Sequence, residues 1–337
     1  MSNKAADNLT KIQNLFIKPE EPIKYEKKQP DTQTYEYSNF KWINLQDATK
    51  SSITAELMDY NIQDIHLHQS LVKGLVTQIA IEEKYLFIVL HIPYLSSNKN
   101  KILTSQVSIF LSKNYLITIH DSSNSKLKDF FNNFNDIQNN KPKSPGHILY
   151  QLIESILLDV SELTQEISKD LDKIESSVFN TVESDAYKIG QVRQKIMRLR
   201  RTMAAQKVIL EELELNIDKL TGEKLSRYYD KNTHMSQRLW DVVEESKETI
   251  EIFKDADFTA STEKTNQILA ILTLIFTFTI PPSVIGTIYG MNILLPGGVE
   301  IGAWHFLGPF TTLIILCLLS IIPVLIMIWY FKKKKWF

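Results

Sequence analysis

The sequence predicts an α+β membrane protein with an N-terminal α/β domain, a long helical hairpin, a stalk helix and two C-terminal transmembrane helices. Three observations carry this. Ile268 to Ile288 and Phe306 to Phe331 are apolar runs without a charged side chain, each long enough to supply the roughly 20 residues that cross a ~30 Å hydrocarbon core. From Gly146 to Ile280 there is no proline, and only Gly146, Gly190 and Gly222 punctuate a helical three- and four-residue spacing of apolar side chains. Between Tyr35 and Pro142, by contrast, short β-prone runs alternate with polar, turn-forming clusters.

The elements follow in order. Residues 1–34, polar and carrying Pro19, Pro22 and Pro30, read as a mobile tail. In the α/β domain, 35–145, the stretches Phe40 to Leu45, Tyr85 to His91, Val107 to Leu111 and Tyr115 to Ile119 read as strands. Those around Ile53 to Met58 and Leu127 to Phe134 read as helices. The hairpin, 146–222, carries one apolar seam through Leu149, Ile153, Ile156, Val160, Leu163, Ile167, Leu171, Ile174 and Val178. A second runs through Val192, Ile196, Leu199, Met203, Leu210, Leu213, Ile217 and Leu220, with Gln206 in its polar gap.

The stalk, 223–267, continues without Gly or Pro into the first span, 268–288. A helix from Glu223 to Ile280 is roughly 85 Å long, so most of it stands outside a bilayer. Its apolar members Met235, Leu239, Val242, Phe253 and Ala256 are sparse. Asp241, Glu244, Glu245, Glu248, Glu251, Asp255 and Asp257 outweigh Lys247 and Lys254, which predicts packing against copies of itself around a wet axis.

An outer loop, 289–305, whose one basic side chain is His305, joins the first span to the second, 306–331. The second span abuts Lys332, Lys333, Lys334 and Lys335 in a basic tail, 332–337, so the positive-inside rule predicts that both termini are cytoplasmic. The polar N-terminus shows no apolar core of a cleavable signal peptide. Tyr289, Trp304 and Phe306 at one interface and Trp329, Tyr330 and Trp336 at the other supply interfacial aromatics.

Composition narrows the chemistry. The 337 residues allow more than one domain, and 38 basic against 39 acidic side chains leave no global field of the kind that attracts nucleic acid. The single Cys317 makes neither an intrachain disulfide nor a thiolate zinc cluster, and suits a reducing cytosol. No G-x-x-x-x-G-K-[ST] or G-x-G-x-x-G run marks a nucleotide site, so neither ATP drive nor an enzyme is indicated. His66 and His68 share one face if they lie on a strand, but no third metal ligand accompanies them, and ordinary histidines are the simpler reading. His120-Asp121 reads as a strand-terminal turn, and Arg198, Arg200 and Arg201 as a solvated patch or as partners of carboxylates on a neighbouring helix.

The first span is rich in hydroxyls: Thr273, Thr277, Thr279, Ser283 and Thr287. On a helical wheel Thr273 and Thr277 fall within about 20° of Asn266, whereas Thr279 points away and bonds its own backbone. Two readings stay open, a wet stripe or helix packing through small polar residues. Pro281-Pro282 breaks the ladder near the outer end and releases carbonyls that must face protein or water.

Tyr289-Gly290-Met291-Asn292 follows, and with it the chain resembles the CorA-type magnesium transport proteins, the two-span Gly-x-Asn superfamily. The motif's place before a short loop and a last span ending in lysines makes it specific. Lys264-Thr265-Asn266, Trp42-Ile43-Asn44-Leu45, Gln106-Val107-Ser108-Ile109-Phe110-Leu111 and Thr118 extend the resemblance over roughly 35–337. It implies a homopentameric funnel whose first spans line the pore and whose second spans form an outer ring. Gly290 carbonyls and Asn292 side chains would then hold a hydrated Mg2+ at the mouth, with Asn266, Leu269, Leu272, Ile280 and Ser283 on the pore wall. The wheel adds Thr273, Thr277 and Thr287.

The expected activity is passive Mg2+ uptake across a cell membrane, with no nucleic acid partner. Co2+, Ni2+ or Zn2+ transport is the rival within the superfamily, and a two-span coiled-coil scaffold or sensor the rival outside it. Mg2+ also regulates closure in the resembled family through carboxylates between protomers. Without gaps, one such position falls at Lys231, beside Asp230. Either Asp230 substitutes, or the ammonium stands in the site as a tethered cation paired with a neighbour's carboxylate.

Overall fold

The computed structural model describes residues 31–37, 39–123, 129–131, 144–180, 186–291 and 311–333. They belong to two compact units, one comprising the chain up to Leu171 with Gly190–Thr249, the other Asp172–Ile189 with the chain from Ile250 onward.

The first unit is built on a six-stranded sheet. Its strands are β1 (Asp31–Glu36), β2 (Lys41–Gln46), β3 (Gln78–Ile81), β4 (Leu86–Leu95), β5 (Ile102–Leu111) and β6 (Tyr115–His120), in the order β1-β2-β6-β5-β4-β3. Every neighbouring pair is antiparallel except β2 and β6. The sequence reading misses the two edge strands. β1 begins inside the segment assigned to a mobile tail and is ordered by pairing with β2 from Asp31↔Gln46 to Glu36↔Lys41. The central strands are buried on both faces, which is why they read as continuous apolar runs.

One face carries Ile43, Leu45, Phe87, Val89, Phe110, Ile117 and Ile119, packed with Ile53 and Leu57 of α1 (Lys50–Leu57). Each such burial contributes about 1.5–3 kcal/mol. A reciprocal Thr49/Ser52 capping box starts α1, with Ser52 N–H donating to Thr49 Oγ1 at 3.3 Å and Thr49 N–H to Ser52 Oγ at 2.9 Å. The next helix, α2 (Asp64–Leu71), corrects the strand reading of His66 and His68. Two residues apart on a helix, they diverge: His66 stacks 4.8 Å from Phe87 with Nδ1 2.9 Å from the Tyr85 hydroxyl, while His68 is exposed.

The opposite face holds a buried polar relay. Trp42 Nε1–H donates to Thr118 Oγ1 at 3.1 Å, and Thr118 donates to Asn44 Oδ1 at 2.8 Å. Residues two apart on β2 thus share one hydroxyl from the in-register partner on β6. Here also His120 ends β6, stacked 4.5 Å from Phe131.

Three helices complete this unit: α3 (Pro145–Asn180), α4 (Ala186–Thr221) and α5 (Ser226–Tyr289), of which α3 and α4 extend partly, and α5 largely, into the second unit. The predicted seams of α3 and α4 are buried except for Val178 and Leu220, which are half-buried. Gln206, in the polar gap, is buried and donates through Nε2 to the His91 carbonyl of β4 at 2.7 Å. Arg198 Nη1 reaches the Ile102 carbonyl of β5 at 2.9 Å, and Arg200 pairs with Glu244 while lying 5.3 Å from the Trp240 ring.

Helix α5 departs most from expectation. Leu225, just ahead of it, and Tyr229, Asn232, Ser236, Leu239, Val243, Ser246, Ile250 and Phe253 are all buried, at alternating four- and three-residue steps. This heptad seam includes small polar residues, so the hydropathy pattern understates it, and α5 packs against its own chain rather than only against copies. Tyr229 Oη donates to the Gly146 carbonyl at 2.8 Å, and Asn232 Nδ2 to the Tyr150 carbonyl at 3.2 Å. A turn with Gly222 at φ +73 leads into α5, where Asp218 Oδ1 accepts the N–H groups of Leu225 and Ser226 at 2.7 and 2.8 Å.

In the second unit α5 runs on to Tyr289, and α6 (Thr311–Lys333) follows. The expected start of the last span, 306–310, lies outside the described residues, as does most of the expected helix 127–134.

Two outcomes follow. Thr118→Val removes the acceptor of the Trp42 indole and the donor to Asn44 together, and costs about 1–3 kcal/mol in thermal unfolding, whereas Thr118→Ser stays within about 1 kcal/mol. For His120, burial holds the pKa below 6.5 against the opposing pull of the Asp121 carbonyl and the Asp121 and Asp47 charges. The native imidazole therefore binds fewer protons than the unfolded one, so its contribution is full above pH 6.5 and falls as the pH drops below it. His120→Phe flattens that part of the stability profile in pH-dependent melting, and an unchanged slope would contradict the assignment.

Candidate functional site

From Phe258 to Ile288 the side chains of α5 are exposed or half-exposed within the chain, and the apolar ones lie all round the helix. Ile268, Leu269, Ile271, Leu272, Ile275, Phe276 and Ile280 are all exposed among the described residues. A helix apolar on every side and bare in water is stable only in lipid or against other helices. The α5 segment and α6 are both long and apolar enough to cross a membrane.

The pore candidates Asn266, Leu269, Leu272, Thr273, Thr277, Ile280, Ser283 and Thr287 all fall on α5. At 100° per residue they occupy an arc of about 140°, with Asn266, Thr273 and Thr277 within about 40° at one edge and Leu272 at the other. Thr279 lies just beyond the Leu272 edge. The hydroxyls of Thr273, Thr279 and Thr287 donate to the carbonyls of Leu269, Ile275 and Ser283 at 2.7, 2.6 and 2.7 Å. Back-bonding therefore does not separate Thr279 from the stripe, as the sequence reading has it; Thr273 shares it.

The proline pair also departs from expectation. Helix α5 passes through Pro281 and Pro282 and ends at Tyr289, so the prolines remove two ladder bonds without ending the helix. At its exit Gly290 N–H donates to the Gly286 carbonyl at 2.9 Å, and Met291 N–H to the Ile288 carbonyl at 3.3 Å. A Cβ on Gly290 would lie 3.1 Å from the Gly286 carbonyl oxygen, tighter than ordinary contact and against backbone. Glycine thus lets the turn close while its own carbonyl is carried to the end of the helix. Asn292 lies outside the described residues, as do Lys334 and Lys335. Lys332 and Lys333 end α6, with Lys333 Nζ 5.2 Å from the Trp329 ring.

The regulatory candidates are both engaged. Lys231 Nζ lies 2.6 Å from Glu154 Oε1 and 3.4 Å from the Tyr150 hydroxyl, which itself donates to Glu154 at 2.9 Å. Within the chain the lysine pairs with the Glu154 carboxylate. Hydrogen bonds from the ammonium to Glu154 and Tyr150, and then their charges, raise the lysine pKa. Asp230 pairs one helical turn on with His234 at 3.2 Å. Sequence reasoning misses Glu154, Tyr150 and His234; Glu154 lies 77 residues before Lys231, and only the register of α3 against α5 brings them together. Among the described residues no three His, Cys, Asp or Glu side chains converge as a closed metal site.

Two candidate spans, the first hydroxyl-bearing and leading to a glycine exit, fit a membrane transporter. The sequence profile of the CorA-like Mg2+ transporter protein family matches residues 37–333, and the chain belongs to that family. It is 25% identical over 302 residues to the cobalt/magnesium transport protein CorA of Thermotoga maritima, covering 88% of this chain and 83% of that one. It is 26% identical over 262 residues to the putative metal ion transporter YfjQ of Bacillus subtilis, covering 75% and 76%. The complete structure of the CorA magnesium transporter from Methanocaldococcus jannaschii superposes with a TM-score of 0.73 at 19% identity, over 91% of this chain and 94% of that one.

The assigned face has a direct check. In vesicles containing the purified chain, Asn266→Ala changes the rate of divalent-cation uptake at least fivefold, while Thr279→Ala, about 140° round the helix, stays within twofold. Equal effects at the two positions would refute the stripe.

Proposed function

We propose that this chain is a passive Mg2+ channel or transporter of a cell membrane, assembled as a homopentamer with both termini in the cytoplasm. The observation that carries this reading is the bare stripe of α5 leading to Gly290-Met291, within a chain of the CorA-like Mg2+ transporter family. A largely exposed apolar helix needs other helices on its polar stripe and lipid elsewhere, and α5 segments from several copies around an axis meet both needs.

Mg2+ holds its waters tightly and prefers octahedral oxygen ligands. A mouth of Gly290 carbonyls and Asn292 amides takes the hydrated ion through those waters, and neutral oxygens release it again where carboxylates would trap it. Below the mouth Ser283 and Thr287 continue the polar wall, Ile280, Leu272 and Leu269 form apolar constrictions, and Asn266 receives the ion at the inner end. An inside-negative potential supplies about 4.6 kcal/mol per 100 mV for a divalent ion, so no nucleotide site is needed. Lys332 to Lys335 form a basic ring that holds the inner end of α6 at the cytoplasmic face.

Lys231 extends the reading to regulation. Its ammonium neutralises Glu154 from within the chain, in place of a divalent ion shared between protomers. Closure under this arrangement depends weakly on internal Mg2+.

Co2+ is the strongest competing cargo, because the Thermotoga maritima and Methanocaldococcus jannaschii relatives are named cobalt/magnesium transport proteins. Ni2+ and Zn2+ are the further alternatives. Met291 between Gly290 and Asn292, where resembled zinc transporters carry valine, favours Mg2+. A scaffold would require none of these oxygens at the mouth.

In proteoliposomes Asn292→Ala abolishes Mg2+ uptake with the oligomer intact, and Gly290→Ala does so while also disturbing the helix exit. Uptake at the wild-type rate in purified, assembled Asn292→Ala would remove the mouth from the mechanism.

A further inference from the structure

The charged end of α6 faces away from the side on which that helix is covered. Leu316, Ser320, Pro323, Val324 and Phe331 are half-buried, whereas Trp329, Tyr330, Lys332 and Lys333 are exposed. On a helical wheel the half-buried five fall within an arc of about 100°. Lys332 and Lys333 lie about 130° from the centre of that arc, one to each side, and Trp329 is almost opposite it. Lys333 Nζ stands 5.2 Å from the Trp329 ring. That contact keeps the ammonium beside an indole, a group that settles at the membrane interface. The ring face takes at most one of the ammonium's three N–H groups, which leaves donors for oxygen acceptors. From Phe306 to Phe337 the sequence holds no Asp or Glu, and among the described residues neither lysine pairs with a carboxylate. Lys334 and Lys335 follow directly, so four consecutive cations abut the apolar run.

We propose that Lys332 and Lys333, with Trp329 between them on the wheel and Lys334 and Lys335 following, bind the phosphates of anionic phospholipids. The chain then draws anionic lipid out of a mixed bilayer. The inference rests on the reading of α6 as a membrane span and is independent of what passes along α5. Depth and charge both select this ligand. An apolar helix of this length sets its last turn where acyl chains give way to headgroups, and lysines there extend their ammoniums into the phosphate layer. Ile322 and Leu325 are exposed on the same side as Trp329. One lipid therefore lays an acyl chain along these three side chains while its phosphate accepts from an ammonium. A free phosphate ion gains only the second contact. A zwitterionic lipid offers the same phosphate, but its own cation repels the lysines.

The full chain is reconstituted in phosphatidylcholine vesicles with spin-labelled phosphatidylcholine or spin-labelled phosphatidylglycerol, and electron spin resonance reads the immobilised fraction of each label. The wild type immobilises the phosphatidylglycerol label at least threefold more strongly than the phosphatidylcholine label. Lys332→Gln with Lys333→Gln, which keeps Lys334 and Lys335 to orient the span, loses at least half of that preference. Glutamine at all four positions removes it. Equal immobilisation of the two labels by the wild type overturns the proposal. A preference kept in full by the double variant overturns it too, even if the fourfold variant fails to insert. Excess soluble glycerol phosphate leaves the preference in place, and its loss would overturn the lipid as the occupant. The measurement needs no transport, so vesicles that select phosphatidylglycerol but take up no Mg2+ would contradict the pore reading and leave this one standing.

Discussion

One backbone hydrogen-bond ladder, running from Ser226 to Tyr289 and short of two bonds only at the prolines, is the constraint on which the rest depends. A helix of this length gains little from propensity and must be held by its side chains along every turn. Up to Phe253 the heptad seam does this, with Tyr229, Asn232, Ser236 and Ser246 mixing polar atoms into a packed line. Beyond it the described side chains of α5 are exposed or half-buried, and further support must come from a bilayer and from other copies. One helix thus answers to two surroundings, its own chain in the first part and lipid or other helices in the second.

Oxygen chemistry decides what such a stripe does. Asn266, Thr273, Thr277, Ser283 and Thr287 bring hydroxyl and amide groups, and Gly290 brings a backbone carbonyl; none carries a full charge. Carboxylates in the same places would hold a divalent ion too tightly for it to leave, and an apolar stripe would not admit its water shell. The acidic side chains of α5 lie instead before the span, from Asp230 to Glu263. Lys231 and Glu154, bonded within one chain, belong to that charged region and brace α5 on α3.

The two spans, the hairpin seams, four of the six strands and the family were legible in the sequence because each rests on local periodicity or a short motif. What was hidden depended on distant partners. β1 and β3 are polar or short edge strands that exist only through pairing, and α2 carries no capping signature that separates it from a strand. The α5 seam was masked because Asn232, Ser236 and Ser246 look solvated until α3 and α4 are in place. In the candidate site the residues of α5 were named correctly as positions on one helix, yet the partners of Lys231 and Asp230 could not be read from spacing along the chain. The prolines were taken to break a helix that instead continues, because proline's lost donor and its tolerance inside a membrane span are opposite tendencies that sequence alone does not rank.

The measurement closest to the central claim is Mg2+ entry into vesicles containing only the purified chain, under potassium diffusion potentials of graded size and without nucleotide. Entry that grows with inside-negative potential and stops when the potential is collapsed is the predicted result. No entry at any potential, or entry that ignores the potential and demands ATP, would contradict a passive pore.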